Sequence, residues 1–422
     1  MLLEFRVRNY RSIRDEQALT LIASSSRELA QTHLVPTGLK SAPHAVRTAV
    51  IYGPNASGKS SLLRALDYMR AVVAESATSI QPGQTFNVQP FKLDSVSLQE
   101  PTEFEITFLL FGVRHQYAFS MTTQRIVSES LQVYRSSKPT QLFSRQHVDG
   151  DSYDYEFSSY LSGPRKLWQE STRPNALFLS MAAQLNSEQL GPVFNWIVRN
   201  ITFLPAGAAV LPDFTTAMLA TENGRASIRE FLSAADISIA DVQAVTHKGM
   251  QAKFVMGAGG MQSTQEEREF LMPIFEHSTP NGSAKFELHD ESEGTQRLYG
   301  LIAPVLDCLR DGRVLVVDEL DSSLHTLLVR RLIAMFQTPE LNPNGAQLIF
   351  STHDTSLLDH ALFRRDQIWF TDKDADQATR LYPLTDFSPR KKEAWELGYL
   401  AGRYGAVPFF SNWPTPTESE RR

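Results

Sequence analysis

Apolar and polar positions alternate at the start of the chain. Phe5, Val7 and Tyr10 fall on one face, and a second apolar run covers Ala18 to Ile22, so residues 2 to 22 read as strand. Val46 to Tyr52 is short and β-rich and ends in Gly53-Pro54-Asn55, after which Leu62, Leu63, Leu66 and Met69 recur at helical spacing over Ser60 to Val73. The order there is strand, loop, helix. Period-two runs return between Glu103 and Tyr134, in Phe104 to Phe108 and Tyr117 to Met121, with a turn-like Gly112 to His115 between them. They predict an antiparallel sheet. Helical spacing dominates Asn175 to Asp241, notably Ala176 to Leu190 and Ala226 to Ala235, whereas Gly257 to Gly260 and Pro280-Asn281-Gly282 read as loop or hairpin material. Beyond Lys285 the rhythm becomes α/β: a helix over Glu293 to Leu309, a buried strand Val314 to Val317, a helix over Leu324 to Phe336 and a strand Gln347 to Ser351. A parallel sheet covered by helices fits that order.

Composition narrows the class without naming a chemistry. Of 422 residues, 42% are hydrophobic and 21% charged, the balance of an ordinary folded domain. A net charge of −6 argues against a globally basic nucleic-acid coat. The single cysteine, Cys308, leaves no cysteine-built disulfide, zinc or iron–sulfur site within one chain, and its place on an amphipathic helix predicts a core residue. Glu4, Arg6 and Arg8 break any signal-peptide apolar region, and no run approaches the ~18 apolar residues that span a bilayer. A cytoplasmic protein without membrane contact is expected. The tail from Ser411 to Arg422 is polar and expected to fray, and no heptad run long enough for a coiled-coil arm appears.

Chemistry enters at Gly53-Pro54-Asn55-Ala56-Ser57-Gly58-Lys59-Ser60, the GxxxxGK[ST] phosphate loop, in its proper place between strand and helix. Glycines let successive backbone N–H groups turn inward onto phosphate oxygens, and the helix N-terminus adds partial positive charge. Lys59 supplies a point charge to the outer phosphates and Ser60 a hydroxyl ligand for Mg²⁺. Gly53, Asn55, Gly58, Lys59, Ser60 and Ser61 are thus the candidate nucleotide-binding set. Farther on, the apolar strand Val314 to Val317 ends in Asp318-Glu319. The first carboxylate can orient Mg²⁺ and the second can act as general base on an attacking water.

Asp290-Glu291-Ser292-Glu293-Gly294-Thr295-Gln296 precedes a helix, Leu320-Asp321-Ser322-Ser323-Leu324-His325 follows the carboxylates, and Ser351-Thr352-His353-Asp354 ends the next strand. In this order the motifs resemble the ABC-type ATPase superfamily, in its branch without a transporter. More narrowly, Asn9-Tyr10-Arg11-Ser12-Ile13, Pro90-Phe91-Lys92-Leu93-Asp94 and Gly402-Arg403-Tyr404-Gly405-Ala406-Val407-Pro408-Phe409 resemble the OLD-like and RloA/AbiL-type ATPases of bacterial phage-defence operons. The resemblance implies an α/β P-loop ATPase head made from both ends of the chain, residues 1–94 and 286–422, with an antiparallel β subdomain at 95–164 and a mostly helical insertion at 165–285. It implies ATP and Mg²⁺ as ligands, with Lys59, Glu319 and His353 catalytic and Ser60, Asp318 and Gln89 around the metal. Arg11 becomes a candidate nucleotide contact, and Ser292 and Gly294 complete the γ-phosphate site of a second copy, so a homodimer or higher even oligomer is expected. His325, placed one turn into its helix, is an interface residue rather than a catalyst.

The implied function is nucleotide-driven pairing of two heads that controls a separately encoded nuclease or toxin in anti-phage defence. A DNA-clamping repair ATPase is the alternative, and nucleic acid stays open as something sensed. The stretch after His353 is too short for the nuclease domain of OLD-family enzymes, and Asp372, Asp374 and Asp376 read as a polar hairpin tip rather than a metal site.

Overall fold

The computed structural model describes residues 1–136, 138–207, 212–235, 239–257, 260–389 and 393–408. The fold is α/β and is built on two large sheets. Six strands form the first, in the order Ile201–Leu204, Val314–Val317, Gln347–Ser351, Thr48–Tyr52, Ile368–Lys373 and Thr379–Pro383. The first five run parallel and the last closes an antiparallel hairpin. Thr48–Tyr52, Val314–Val317 and Gln347–Ser351 are buried at every position, as parallel strands covered on both faces must be. Their alternate residues enter two different cores. Ala49, Ile51, Val314, Val316 and Ile349 face the helix Lys59–Glu75, whereas Val50, Leu315, Val317, Leu348 and Phe350 face the helices Glu293–Asp311 and Thr326–Gln337.

Seven antiparallel strands make the second sheet, in the order Ser152–Phe157, Thr140–Asp149, Ile126–Tyr134, Val113–Met121, Thr102–Leu110, Leu2–Arg8 and Gln17–Thr20. Phe5, Phe104, Phe119, Leu131 and Phe143 on its inner face share one core with Leu62, Leu66 and Met69 of the helix Lys59–Glu75. That helix is therefore sandwiched between the sheets, and the core fixes where the phosphate loop at its N-terminus points.

A buried ion pair locks the sheet to the helices beneath it. The Glu129 carboxylate accepts the Phe178 and Leu179 N–H groups at 2.6 and 2.9 Å, capping the helix Phe178–Gln184, and it accepts the Tyr117 hydroxyl at 2.9 Å. Arg145 lies 3.8 Å away, donates to the carbonyls of Ala176 and Arg173, and stacks over Tyr153. Burial raises the Glu129 carboxyl above its ordinary range, against the opposing pull of Arg145 and the backbone donors.

The structure departs from the expected division of the chain in three places. The strands Leu2–Arg8 and Gln17–Thr20 belong to the antiparallel sheet rather than to the parallel head, because the Phe5/Val7 stripe pairs with Thr102–Leu110. The region 165–285 is not a mostly helical insertion. Its helices pack Trp168, Phe178 and Trp196 into the core of the antiparallel sheet, and from Asp241 onward it is a hairpin, Asp241–Gly257 with Gly260–Thr279, extended by Gly282–Glu287. Ala258 and Gly259 of the expected loop there, and the expected fraying tail Ser411 to Arg422, lie outside the described residues. The single helix expected over Ala176 to Leu190 ends at Gln184, where Asn186 takes a left-handed conformation (φ 58) and the Ser187 N–H reaches back to the Ala182 carbonyl. A new helix, Gly191–Arg199, follows with Pro192 in its first turn.

Pro304 sits inside the helix Glu293–Asp311. Beside it, the Thr215 hydroxyl donates to the Tyr299 carbonyl at 2.8 Å and accepts the Ala303 N–H at 3.3 Å, bridging backbone groups of the turn that leads into the proline. Cys308 is buried in this helix, and burial pushes its thiol up to about 12. Among the described residues no helix is long and apolar enough to cross a membrane.

Candidate functional site

The strand Thr48–Tyr52 ends at Gly53, and the helix starts at Lys59. Between them Gly53, Ala56 and Gly58 take positive φ of 156, 63 and 112°, curling the backbone so that its N–H groups line a concave loop. Glycine is required at both ends. A Cβ on Gly58 would stand 2.1 Å from the Thr379 hydroxyl, and one on Gly53 would stand 2.4 Å from the Thr371 carbonyl. The loop is braced from behind: Thr379 Oγ1 donates to the Ser57 carbonyl at 2.9 Å and accepts from the Ser12 hydroxyl at 2.9 Å, and Ser12 in turn lies 2.9 Å from the Ser61 hydroxyl. Ser61 is thereby a brace of the loop, while the Ser60 side chain, at the helix start, makes no hydrogen bond among the described residues.

Lys59 folds back over the loop and donates to the Gly53 and Pro54 carbonyls at 2.7 and 3.2 Å. Burial lowers its ammonium to about 8, against the pull of Asp318, Glu319 and Asp321. Asn55 is exposed on the rim.

The two carboxylates end the strand next but one to the phosphate-loop strand, and the intervening strand Gln347–Ser351 holds them. Ser351 Oγ donates to Asp318 Oδ1 at 2.7 Å and accepts the Glu319 N–H at 2.8 Å. Asp318 is fully buried, and its Oδ2 has no hydrogen-bond partner. A buried carboxylate oxygen left unpaired is costly. Together with the Ser60 hydroxyl it is the donor chemistry of a hard divalent cation, so the residues present fit Mg²⁺. Glu319 takes a left-handed backbone (φ 55), which turns the chain away from the strand at that point. His353 follows the same strand as Ser351; its N–H donates to Asp321 Oδ2 at 3.2 Å. Burial, then the neighbouring Lys59, lowers its imidazole below the ordinary value, with Asp321, Glu319 and Asp318 opposing. A neutral ring with one N–H to donate results.

Arg11 and Gln89, unconnected in the sequence, are adjacent. The Arg11 N–H donates to the Gln89 carbonyl at 2.7 Å, and the next residue, Ser12, is bonded to the loop brace. Ser292 caps the helix Glu293–Asp311, its hydroxyl accepting the Thr295 N–H at 3.2 Å. Gly294 packs against the turn after Glu319, since a Cβ there would meet the Ser323 carbonyl at 2.9 Å. Ser292 is exposed, and among the described residues no hydrogen bond joins it to the phosphate loop of its own chain. His325 is a correction. Its helix begins at Thr326, because Ser323 turns to φ 59, and His325 is the N-cap whose Nδ1 accepts the Leu327 N–H at 3.2 Å.

Asp374 bonds the Asp376 and Ala378 N–H groups, Asp376 pairs with Arg14, and Asp372 accepts the Ala406 N–H, so these three carboxylates shape a hairpin tip. The motifs gave no role to three residues of the site: Ser351, which lies within Ser351-Thr352-His353-Asp354, Thr379 and Lys373. Only Ser351 has a sequence signal, a polar residue closing an otherwise apolar buried strand.

Two solved structures match the chain at 11% identity and a TM-score of 0.41: an Smc head bound to the C-winged helix domain of ScpA, and an Smc head with an extended coiled coil bound to the C-terminal domain of ScpA, derived from Pyrococcus furiosus. Each covers 90% of this chain, and 97% and 96% of the respective solved chains are matched. No curated protein matches the chain. Residues 49–359, from the phosphate-loop strand to just past His353, match the family model described as "AAA domain, putative AbiEii toxin, Type IV TA system", and the chain belongs to that family.

Proposed function

We propose that this chain is an ATP-hydrolysing, Mg²⁺-dependent ATPase of ABC type whose nucleotide-driven pairing controls a separately encoded effector, a nuclease or toxin, in prokaryotic anti-phage defence. The observation that carries the catalytic half is the buried, unpaired Oδ2 of Asp318 beside a curled phosphate loop that Lys59 already overhangs. The regulatory half rests on the resemblance to defence ATPases and on the toxin–antitoxin description of the family.

In this reading the loop amides and Lys59 bind the phosphate chain, and Ser60, Asp318 and Gln89 hold Mg²⁺. The ion supplies charge neutralisation to the β- and γ-phosphates when bound. Glu319 takes a proton from the water that attacks the γ-phosphorus, and the bond to the β–γ bridging oxygen breaks. His353 donates its N–H to the γ-phosphate. Ser351 holds Asp318 and Glu319 in register, so the acid that orients the metal and the base that accepts the proton move as one unit. Ser292 and Gly294 of a second copy close the site, which makes hydrolysis depend on pairing.

Lys59→Ala should weaken ATP binding about 10- to 100-fold, the weight of a charge-assisted contact. Titration with a fluorescent ATP analogue reads it, and unchanged affinity would remove the phosphate-loop assignment. The pairing is tested by native mass measurement of Glu319→Gln with and without Mg–ATP. A doubled mass with nucleotide is expected, and it should vanish when Ser292→Arg is added, since a bulky cation cannot enter the γ-phosphate site. Doubling that persists in the combined variant would take Ser292 out of the interface.

A further inference from the structure

Lys373 ends the strand Ile368–Lys373, which lies directly beside the phosphate-loop strand with Phe370 opposite Tyr52. His353 follows the strand on the other side. Lys373, His353, Gly53, Pro54, Asn55 and Ser57 all line one cleft of about 810 Å³. The Lys373 ammonium donates to the Gln377 carbonyl at 2.8 Å and to Thr379 Oγ1 at 3.2 Å, and that same hydroxyl donates to the Ser57 carbonyl at 2.9 Å. A single hydroxyl therefore separates Lys373 from the loop.

Lys59 is held in the same manner, on carbonyl oxygens of the loop itself. Two cations thus stand by the loop, of which Lys373 lines that cleft and Lys59 does not, and each rests on neutral oxygens. Among the described residues neither forms an ion pair within hydrogen-bonding reach. Burial lowers the Lys373 ammonium against the pull of Asp374. Half-buried ammonium groups on neutral acceptors are poised to exchange them for an anion, because charge-assisted hydrogen bonds are roughly twice as strong.

We propose that Lys373 is a second phosphate-contacting residue of this site and selects for the terminal phosphate of a nucleoside triphosphate. This rests on the phosphate-loop reading above. The end of the phosphate chain is assigned through His353, which lines the same cleft as Lys373 and donates to the γ-phosphate in the reading above. The hydroxyl of Thr379 stays behind as the brace of Ser57, so Lys373 can swing away without releasing the loop.

The test uses Lys373→Met, which keeps the aliphatic stem, and Lys373→Arg, which keeps the charge. Calorimetric titration with a non-hydrolysable ATP analogue and with ADP, both with Mg²⁺, gives the discrimination, and the melting temperature without nucleotide checks the fold. In Lys373→Met the triphosphate should bind about 10- to 100-fold more weakly, ADP affinity should be unchanged, and Lys373→Arg should retain most of the triphosphate affinity. Equal losses for both nucleotides, or no loss for the triphosphate, overturn the proposal while leaving the phosphate loop intact. A wild-type chain that binds neither nucleotide overturns the loop reading and this proposal together.

Discussion

Glu319→Gln lowers ATP turnover about 10²- to 10⁴-fold, the usual weight of a general base, while nucleotide still binds. The amide keeps the shape of the carboxylate and cannot take a proton. Its backbone anchor is untouched, because the bond to Ser351 is made by the Glu319 N–H and not by its side chain. Asp318 therefore keeps its place, and Lys59 keeps the loop. Single-turnover hydrolysis of radiolabelled ATP separates the chemical step from release. Wild-type rates in the variant would strip Glu319 of its role and leave the carboxylate pair as a closure of a buried strand.

The second large effect is on stability. Glu129→Ala should destabilise the fold by about 3–5 kcal/mol, because it leaves the Arg145 guanidinium buried without its counter-charge. It also uncaps the Phe178 and Leu179 N–H groups and the Tyr117 hydroxyl. Equilibrium denaturation in urea measures it. A loss below ~1 kcal/mol would mean that water or a rearranged Arg145 replaces the carboxylate, and that the sheet and the helix under it are joined by apolar packing alone. A double change, Glu129→Leu with Arg145→Met, is expected to recover much of the loss, since removing both charges removes the desolvation penalty.

The parallel sheet was legible because its central strands are short, mostly apolar and flanked by turn signals, and the chemistry sits at their ends. Val314–Val317 and Gln347–Ser351 could be read residue by residue for that reason. The long hairpin was legible only at its turns, as loop or hairpin material; among the described residues Val242 and Phe275 near its base enter the core, with Ala244 packed against them, too few positions to mark a strand period. Lys373 and Thr379 were invisible for a different reason. Thr379 reaches Ser12 across 367 residues of sequence, and no local spacing records such a contact. Asn186 shows the opposite case: an asparagine followed six residues later by Pro192 was a readable stop-and-restart signal that helical periodicity across the region outweighed.

The core holds the helix behind Ser292 on both sides of Pro304, through Leu298, Leu301 and Ile302 before the proline and Val305, Cys308 and Leu309 after it. Tyr299 is held further, its carbonyl by Thr215 and its phenol by Thr216. Ser292 stands exposed at the start of a rod anchored along its length, so its position is set by the core behind it.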